Sequence, residues 1–289
     1  MKRMTAKEKG TQAVIMLLLA LLAACCVFPF FYVASLSFTT AGEAIRRGIV
    51  LIPEHPVLSA YEQIFSGTLI TRAYQVTLFV TVVGTVLNLL FTTATAYPLA
   101  RKSLPGRNVF LLYIIFTMLF SGGMIPHFLL VKSLGLLNSV WALIIPGLLS
   151  AYNMLIMKGF FEQLPEGIEE AARIDGAGEL TMIGRIVLPL SAPIIATLGL
   201  FYAVGHWNSF FDAILYINDP SKFPLQVVLR GILLGAANLS ADNPESIDAV
   251  NPLSIQMAAV VVATVPILCV YPFLQKHFTK GVLLGSVKG

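Results

Sequence analysis

The interval Glu162–Pro189 reads EQLPEGIEEAARIDGAGELTMIGRIVLP and separates two strongly apolar segments. Pro165 suits the first position of a helix, because its missing N–H group would have no partner there. Glu166, Glu169 and Glu170 follow in the first turn, where the positive end of the helix dipole favours anions. A polar interval therefore begins here with a helix.

Gly176 predicts a left-handed stop for this helix, and Ala177–Ile186 predicts a second helical run before Leu188-Pro189 and new apolar sequence. A short helix, a glycine turn and a second helix between two membrane spans can dock into a pocket on another protein. The alternative is an amphipathic interfacial helix that only joins the two spans.

Composition makes the chain a polytopic membrane protein. Of its 289 residues 57% are hydrophobic and 12% are charged, whereas soluble domains carry about 25% charged residues. We predict an all-α fold with one transmembrane domain over residues 1–289. Its six spans are expected at 12–38, 73–100, 109–131, 140–160, 186–216 and 253–273, each long enough to cross a bilayer.

The first span invites another interpretation, because Leu22-Ala23-Ala24-Cys25 is similar to a bacterial lipoprotein cleavage box. The apolar run nevertheless continues to Val33, and we predict a retained helix. The three cysteines, Cys25, Cys26 and Cys269, lie in apolar runs without metal-site spacing.

Six spans place both termini on one side of the membrane. That side holds 13 of the 19 lysines and arginines. The other six are Arg46, Arg47, Arg72, Lys132, Lys222 and Arg230. Basic residues collect in the cytoplasm, so both termini and the polar loop 162–185 are expected to face the cytoplasm.

The sequence contains no assembled catalytic site. It has no Gly-x-x-x-x-Gly-Lys-Ser/Thr phosphate loop, no His-Glu-x-x-His and no Gly-x-Ser-x-Gly, and its four histidines are scattered singly. We therefore expect no enzyme activity, no metal and no cofactor on this chain, and any ATP must be bound by a partner.

Polar residues within spans are costly and mark candidate substrate pathways. In span five, Trp207, Asn208 and Asp212 would set hydrogen-bonding groups beside aromatic rings, with Asn208 and Asp212 on one helix face. The alternative places Asp212 in water at the outer interface and makes Trp207 a belt anchor.

Asn88 and Asn153 fall within spans two and four, where they either contact substrate or bond neighbouring helices. Ser121-Gly122-Gly123 and Pro126 interrupt span three. Such an interruption either lines a cavity or is a packing kink.

One motif resembles a known family. Glu170-Ala171-Ala172, three residues, Gly176, nine residues and Ile186-x-Leu188-Pro189 are similar to the EAA loop of permease subunits of ABC importers. The resemblance implies a type I importer permease fold whose coupling helix docks onto a cytoplasmic ATPase. The docking residues would be Glu169, Glu170, Ala171, Ala172, Asp175, Gly176, Leu188 and Pro189.

Nearly the whole chain resembles the carbohydrate group that contains the second maltose permease. Phe120–Pro126, Tyr202–Ser209 and Tyr271–Lys276 are similar to a subgroup that imports oligosaccharides of complex polysaccharides, especially alginate. The resemblance implies a homologous second permease, two ATPase subunits that bind ATP and Mg²⁺, an extracytoplasmic solute-binding protein and an oligosaccharide substrate.

The expected mechanism is alternating access driven by ATP hydrolysis on the partner, with the polar interval Asn218–Asn251 meeting the binding protein. By the same resemblance, the tail Gly281–Gly289 could reach between the ATPases. A secondary transporter without an ATPase is the main alternative, although such folds usually carry repeated halves and ionisable residues within spans. A membrane-embedded enzyme is a second alternative.

Overall fold

The computed structural model describes residues 6–165, 167–168, 172, 174–242 and 252–285. Within these residues the chain forms helices and turns and no strand, which confirms the predicted all-α class. Contacts divide the chain into two compact units. One comprises Met1–Thr68 with Leu229–Val265, and the other comprises Leu69–Val228 with Pro266–Gly289.

The helices differ widely in length. In chain order they are α1 (Ala6–Ser37), α2 (Ala41–Arg47), α3 (Ser59–Phe65), α4 (Thr68–Ala100), α5 (Arg107–Leu119), α6 (Met124–Ser133), α7 (Ala151–Phe161), α8 (Glu179–Met182), α9 (Leu188–Leu190), α10 (Ala192–Trp207), α11 (Phe211–Tyr216), α12 (Leu225–Asp242) and α13 (Pro252–Gly285). Short 3₁₀ turns cover Val140–Leu143, Ile145–Gly147 and Pro220–Lys222, and a π-helical turn covers Ile183–Val187.

Among the described residues, three single helices are long and apolar enough to cross a membrane: Lys9–Ser37, Thr68–Ala100 and Pro252–Cys269. Three further stretches pass the same test as bent pairs. They are Arg107–Leu119 with Met124–Ser133, Val140–Gly147 with Ala151–Phe161, and Glu179–Leu190 with Ala192–Trp207. Length and composition thus allow six spans if each bent pair crosses once, which is the predicted number.

The third predicted span is broken between α5 and α6, which meet at 115°. Phe120 is already extended, and Gly123 has φ +84°, a left-handed conformation that side chains with a Cβ disfavour. Pro126 does not interrupt the helix, because it lies in the first turn of α6, where its missing N–H group is tolerated.

The fifth predicted span, 186–216, is not one helix. The chain bends by 83° at Ser191, so Leu188-Pro189 precedes the bend and the straight segment is α10. A second break separates Trp207 from Phe211, with Asn208 as the C-cap of α10. The prediction that Asn208 and Asp212 share one helix face was therefore wrong.

The interval between the fifth and sixth predicted spans is not all loop, because Leu225–Asp242 forms α12. Leu225, Val228 and Leu229 are buried at 5% exposure or less. Their i, i+3, i+4 spacing is the helical period, but the surrounding Asn, Asp and Pro residues obscured it. Leu225 is further held by a 2.7 Å hydrogen bond from its N–H to Thr77 Oγ1.

In the first unit, the segment after α1 is held by a buried carboxylate. Glu43 accepts hydrogen bonds at 2.9 Å from Arg47 Nη1 and from the backbone N–H of Glu54. The Glu54 N–H, followed by Arg47, lowers the pKa of Glu43 below its ordinary value. Ser254 of α13 donates to the Thr39 carbonyl at 2.7 Å, which closes this part of the unit.

The second unit has a core of methionines and small residues. Ala96, Met154, Met157, Met182 and Leu198 are buried together. Thr92 and Tyr202 share a buried hydroxyl–hydroxyl bond of 2.8 Å, which joins α4 to α10. The core therefore binds span two, α7, α8 and α10 into one body.

α4 and α10 approach closely where Gly84 faces His206. A Cβ added at Gly84 would lie 2.5 Å from His206 Nε2, far inside van der Waals contact. The side chain of His206 cannot move away freely, because Nε2 bonds Asn88 Oδ1 at 2.6 Å. A hydrogen atom is thus the largest substituent that this crossing accepts.

We expect Gly84→Ala to destabilise the protein by about 1–3 kcal/mol, the usual cost of overpacking a close contact. The measurement is thermal unfolding of the detergent-purified protein. Gly205→Ala is the matched control, since Gly205 is helical, exposed and has no atom within 4 Å of its added Cβ. Equal stability of Gly84→Ala and the wild type would contradict the proposed crossing.

Candidate functional site

The coupling loop, which is the polar loop 162–185, turns at Gly176, whose φ of +79° is the left-handed stop that the sequence predicts. The Ala177 N–H donates to the Ala172 carbonyl at 2.9 Å, as expected where a helix ends. Ala172 is only 7% exposed and belongs to the core with Ala96, Met154 and Met182. Its small side chain therefore lets the loop pack against the chain's own spans.

The outer surface of the loop presents apolar residues that the sequence analysis did not select. Ile174 is 86% exposed and Leu180 is 87% exposed, and Asp175 beside Ile174 is exposed too. Both lie in a polar interval of the sequence, and the chain itself covers neither of them. The available signal was an isoleucine and a leucine inside a charged stretch.

The remaining predicted docking residues fall into two groups. Glu169, Glu170 and Ala171 lie outside the described residues. Leu188 and Pro189 lie in α9, after the π-helical turn and before the bend at Ser191. π-turns occur frequently at functional sites, and this one joins the coupling loop to the membrane segment α10.

Asn88 joins α4 to α10 and to the start of span four through hydrogen bonds of its side chain. Its Nδ2 donates to the carbonyls of Gly147 at 2.6 Å and Leu148 at 3.0 Å, and its Oδ1 bonds His206 at 2.6 Å. The side chain is fully buried. Asn88 thus satisfies two carbonyls at the irregular start of span four. Of the two alternatives that the sequence allows for this residue, the structure shows the bonding between helices.

The other amide and aromatic candidates are spread apart. Asn153 is buried in the first turn of α7, where its N–H donates to Ser150 Oγ at 3.4 Å. Trp207 is 8% exposed and packs edge-on against Tyr74 at 6.3 Å between ring centroids. Asn208 is exposed and donates back to the Val204 carbonyl at 2.9 Å. The structure does not bring these three into one site.

Asp212 lines an open cavity of about 460 Å³ at the break in span three. Ser121, Gly123, His127 and Tyr216 also line the cavity. The ring centroids of His127 and Tyr216 lie 6.3 Å apart. The break between α5 and α6 and the helix α11 line it together. Irregular backbone at membrane depth is tolerated where it lines a cavity or is buried in protein.

The cavity offers a carboxylate, an imidazole, a phenol and a serine hydroxyl, which can bond the hydroxyl groups of a polar solute. Within the described residues no group of three or more His, Cys, Asp or Glu side chains could hold a metal ion. Ser121, Gly123 and Pro126 entered the sequence analysis as a helix interruption, but His127 and Tyr216 carried no sequence signal beyond their residue type.

Residues 92–283 match the family described as binding-protein-dependent transport system inner membrane component. The chain is 52% identical over 265 residues to Protein LplC of Bacillus subtilis, covering 91% of this chain and 90% of that protein. It is 49% identical over 273 residues to the polygalacturonan/rhamnogalacturonan transport system permease protein YtcP of the same organism, covering 94% and 96%.

A solved structure shares this fold. It is the crystal structure of a bacterial ABC transporter involved in the import of the acidic polysaccharide alginate, and one of its chains superimposes with a TM-score of 0.87 at 32% identity, covering 96% of this chain and 100% of that one. The predicted resemblance to importer permeases and the predicted fold are confirmed. The chain belongs to the family of inner membrane components of binding-protein-dependent transport systems.

Proposed function

We propose that this chain is a permease subunit of an ATP-driven importer that moves oligosaccharides across a bacterial cytoplasmic membrane. The observation that carries the proposal is likeness over 96% of the chain to a chain of an alginate importer. The partners would be a homologous second permease, two ATPase subunits that hold ATP and Mg²⁺, and a solute-binding protein. Both termini and the coupling loop would face the cytoplasm.

The coupling loop would transmit movement of the ATPases to the spans. Its exposed Ile174 and Leu180 supply apolar area for docking, and Glu170 would pair with a basic residue of the ATPase. Ala172 packs in the core, so force applied to the loop would reach α4, α7 and α10 directly. Rigid movement of these helices would open the pathway outward.

Part of the substrate pathway would be the cavity at Asp212. Polar side chains at membrane depth face protein or water rather than lipid, and this cavity is open on one side in the single chain. The second permease would close it. Trp207 and Asn88, which are held by Tyr74 and His206, would support the wall of the pathway rather than bind sugar.

The substrates we would test first are oligosaccharides of acidic polysaccharides, because a permease named for polygalacturonan and rhamnogalacturonan and an importer of alginate are both similar to this chain. Neutral oligosaccharides come second, on the 29% identity to an arabinooligosaccharide permease of Halalkalibacterium halodurans.

The test of the function is ATP hydrolysis by the co-expressed complex in liposomes with its binding protein, scanned with uronate and neutral oligosaccharides. We expect one class to raise hydrolysis several-fold and to accumulate inside the liposomes. Uptake without the ATPase subunits would contradict the proposal and favour a secondary transporter. If no sugar changed the rate of hydrolysis, the docking role would stand and the carbohydrate assignment would be refuted.

We expect the double variant Glu170→Ala with Gly176→Pro to abolish transport and sugar-stimulated hydrolysis while membrane insertion is retained. Proline fixes φ near −65° and cannot adopt the +79° of Gly176. Gly178→Pro is the matched control, since Gly178 already has φ −72°. Insertion is measured in the membrane fraction, and unchanged uptake by the double variant would refute the docking role.

Asp212→Asn should change the apparent KM for uptake about fivefold, since a charge-assisted hydrogen bond exceeds a neutral one by about 1 kcal/mol. For a neutral sugar the KM should rise, because the stronger bond is lost. For a uronate it should fall, because the repulsion between like charges is relieved. Asp212→Glu keeps the charge and serves as the control; an unchanged KM for both sugar classes would exclude contact.

A further inference from the structure

We propose that two arginines that flank the turn between α4 and α5, Arg101 and Arg107, clamp the coupling loop at two points, where it leaves α7 and where α8 begins, and thereby connect its movement to α4. This inference rests on the proposed function, since it concerns how ATPase movement reaches the spans. Arg101 holds the end of the loop that leads into α8, and Arg107 holds the end that leaves α7. Both would be positioning residues for transport, outside the docking surface itself.

Arg101 and Glu179 form a two-point ion pair. Nη1 of Arg101 donates to Glu179 Oε1 at 2.9 Å, and Nη2 lies 2.9 Å from Oε2. The guanidinium also stacks on the Tyr97 ring, 4.5 Å from its centroid, and the Tyr97 hydroxyl donates to Glu179 Oε2 at 3.4 Å. The carboxylate of Glu179 is thus bonded to the last turn of α4 and to the residue that follows it.

Arg107 binds the other end. Its Nε donates to the Leu99 carbonyl at 2.8 Å, which satisfies a carbonyl at the end of α4. Its Nη2 pairs with Glu162 Oε1, and Lys158 Nζ reaches the same oxygen at 2.8 Å. Glu162 is the C-cap of α7, so this pair fixes the point where the coupling loop begins.

A simpler interpretation makes these contacts ordinary surface ion pairs, which contribute little. Three observations argue against it. The arginine side chains are only 19% and 20% exposed, although their partners Glu179 and Glu162 are 58% and 29% exposed. The Arg101 contact is two-pointed and stacked, which Lys could not reproduce. One short turn also reaches two points of a loop whose Ala172 lies in the same core cluster as Ala96 of α4.

The clamp has a mechanical consequence. The loop already contacts the core through Ala172 and Met182, and the ion pairs add directional contacts to the end of α4. Through these pairs, displacement of Glu162 and Glu179 would pull on α4, the helix that also carries Asn88 and its hydrogen bonds. We infer that the clamp sets how much transport each ATP produces.

The test is charge reversal in the complete complex in liposomes. Arg101→Glu and Glu179→Arg are made singly and together, and the sugar imported per ATP hydrolysed is measured. Each single variant should lower this ratio at least fivefold, because two like charges then face each other. The double variant should recover at least half of the wild-type ratio. Arg107→Glu with Glu162→Arg repeats the test at the other end.

Lys102→Glu is the control, since it reverses an exposed charge in the same turn. It removes as much positive charge from the predicted cytoplasmic side as Arg101→Glu does, and it should import as much sugar per ATP as the wild type. Where a single variant does not assemble with the ATPases, the double variant must restore co-purification. The clamp is overturned if the single variants import sugar at the wild-type ratio, or if the double variant assembles without recovery. Failure of the wild-type complex to couple hydrolysis to sugar would instead overturn the proposed function.

Discussion

Hydrogen bonding of the backbone in hydrocarbon is the constraint on which this structure depends. Lipid offers no partner to a free N–H or carbonyl group, so spanning segments must be helical and every break must be repaired by the protein. Span four shows how this is done. It begins with 3₁₀ turns around Pro146, and the side-chain amide of Asn88 donates hydrogen bonds to the carbonyls of Gly147 and Leu148. Without that amide, both carbonyls would lose this partner.

The same network explains why α4 is the central helix of its unit. Asn88 needs His206 to orient its amide, and His206 needs the space that only Gly84 leaves. Toward the C-terminal end of α4, Tyr97 and the following Arg101 contact Glu179 of the coupling loop. Toward the N-terminal end of α4, Tyr74 packs on Trp207. Tyr74 and Tyr97 lie about 35 Å apart along the helix, at 1.5 Å per residue. One rigid helix thus connects the predicted docking side with the side that carries the cavity.

Other helix breaks have a different role. The break before α6 lines one cavity together with α11, and Asp212, His127 and Tyr216 lie in its wall. The bend at Ser191 and the π-turn before it lie next to the coupling loop. Irregular backbone is therefore concentrated where substrate and ATPase would act, and the regular helices between those places provide stiffness.

Much of this protein was determined by the sequence alone. Low charge and long apolar runs require a helical membrane protein, the distribution of Lys and Arg predicts its orientation, and Pro165 and Gly176 mark the coupling helix because proline and glycine act through local backbone geometry. Resemblance to importer permeases followed from one motif. Helix breaks were harder to predict, since Ser121–Gly123 signals one but the break after Trp207 has no comparable residue. Only the tertiary structure decided which residues meet across the fold. Gly84 with His206, Asn88 with Gly147, and Arg101 with Glu179 are separated by at least 59 residues, and residue type does not reveal which distant group will share a hydrogen bond or an empty space.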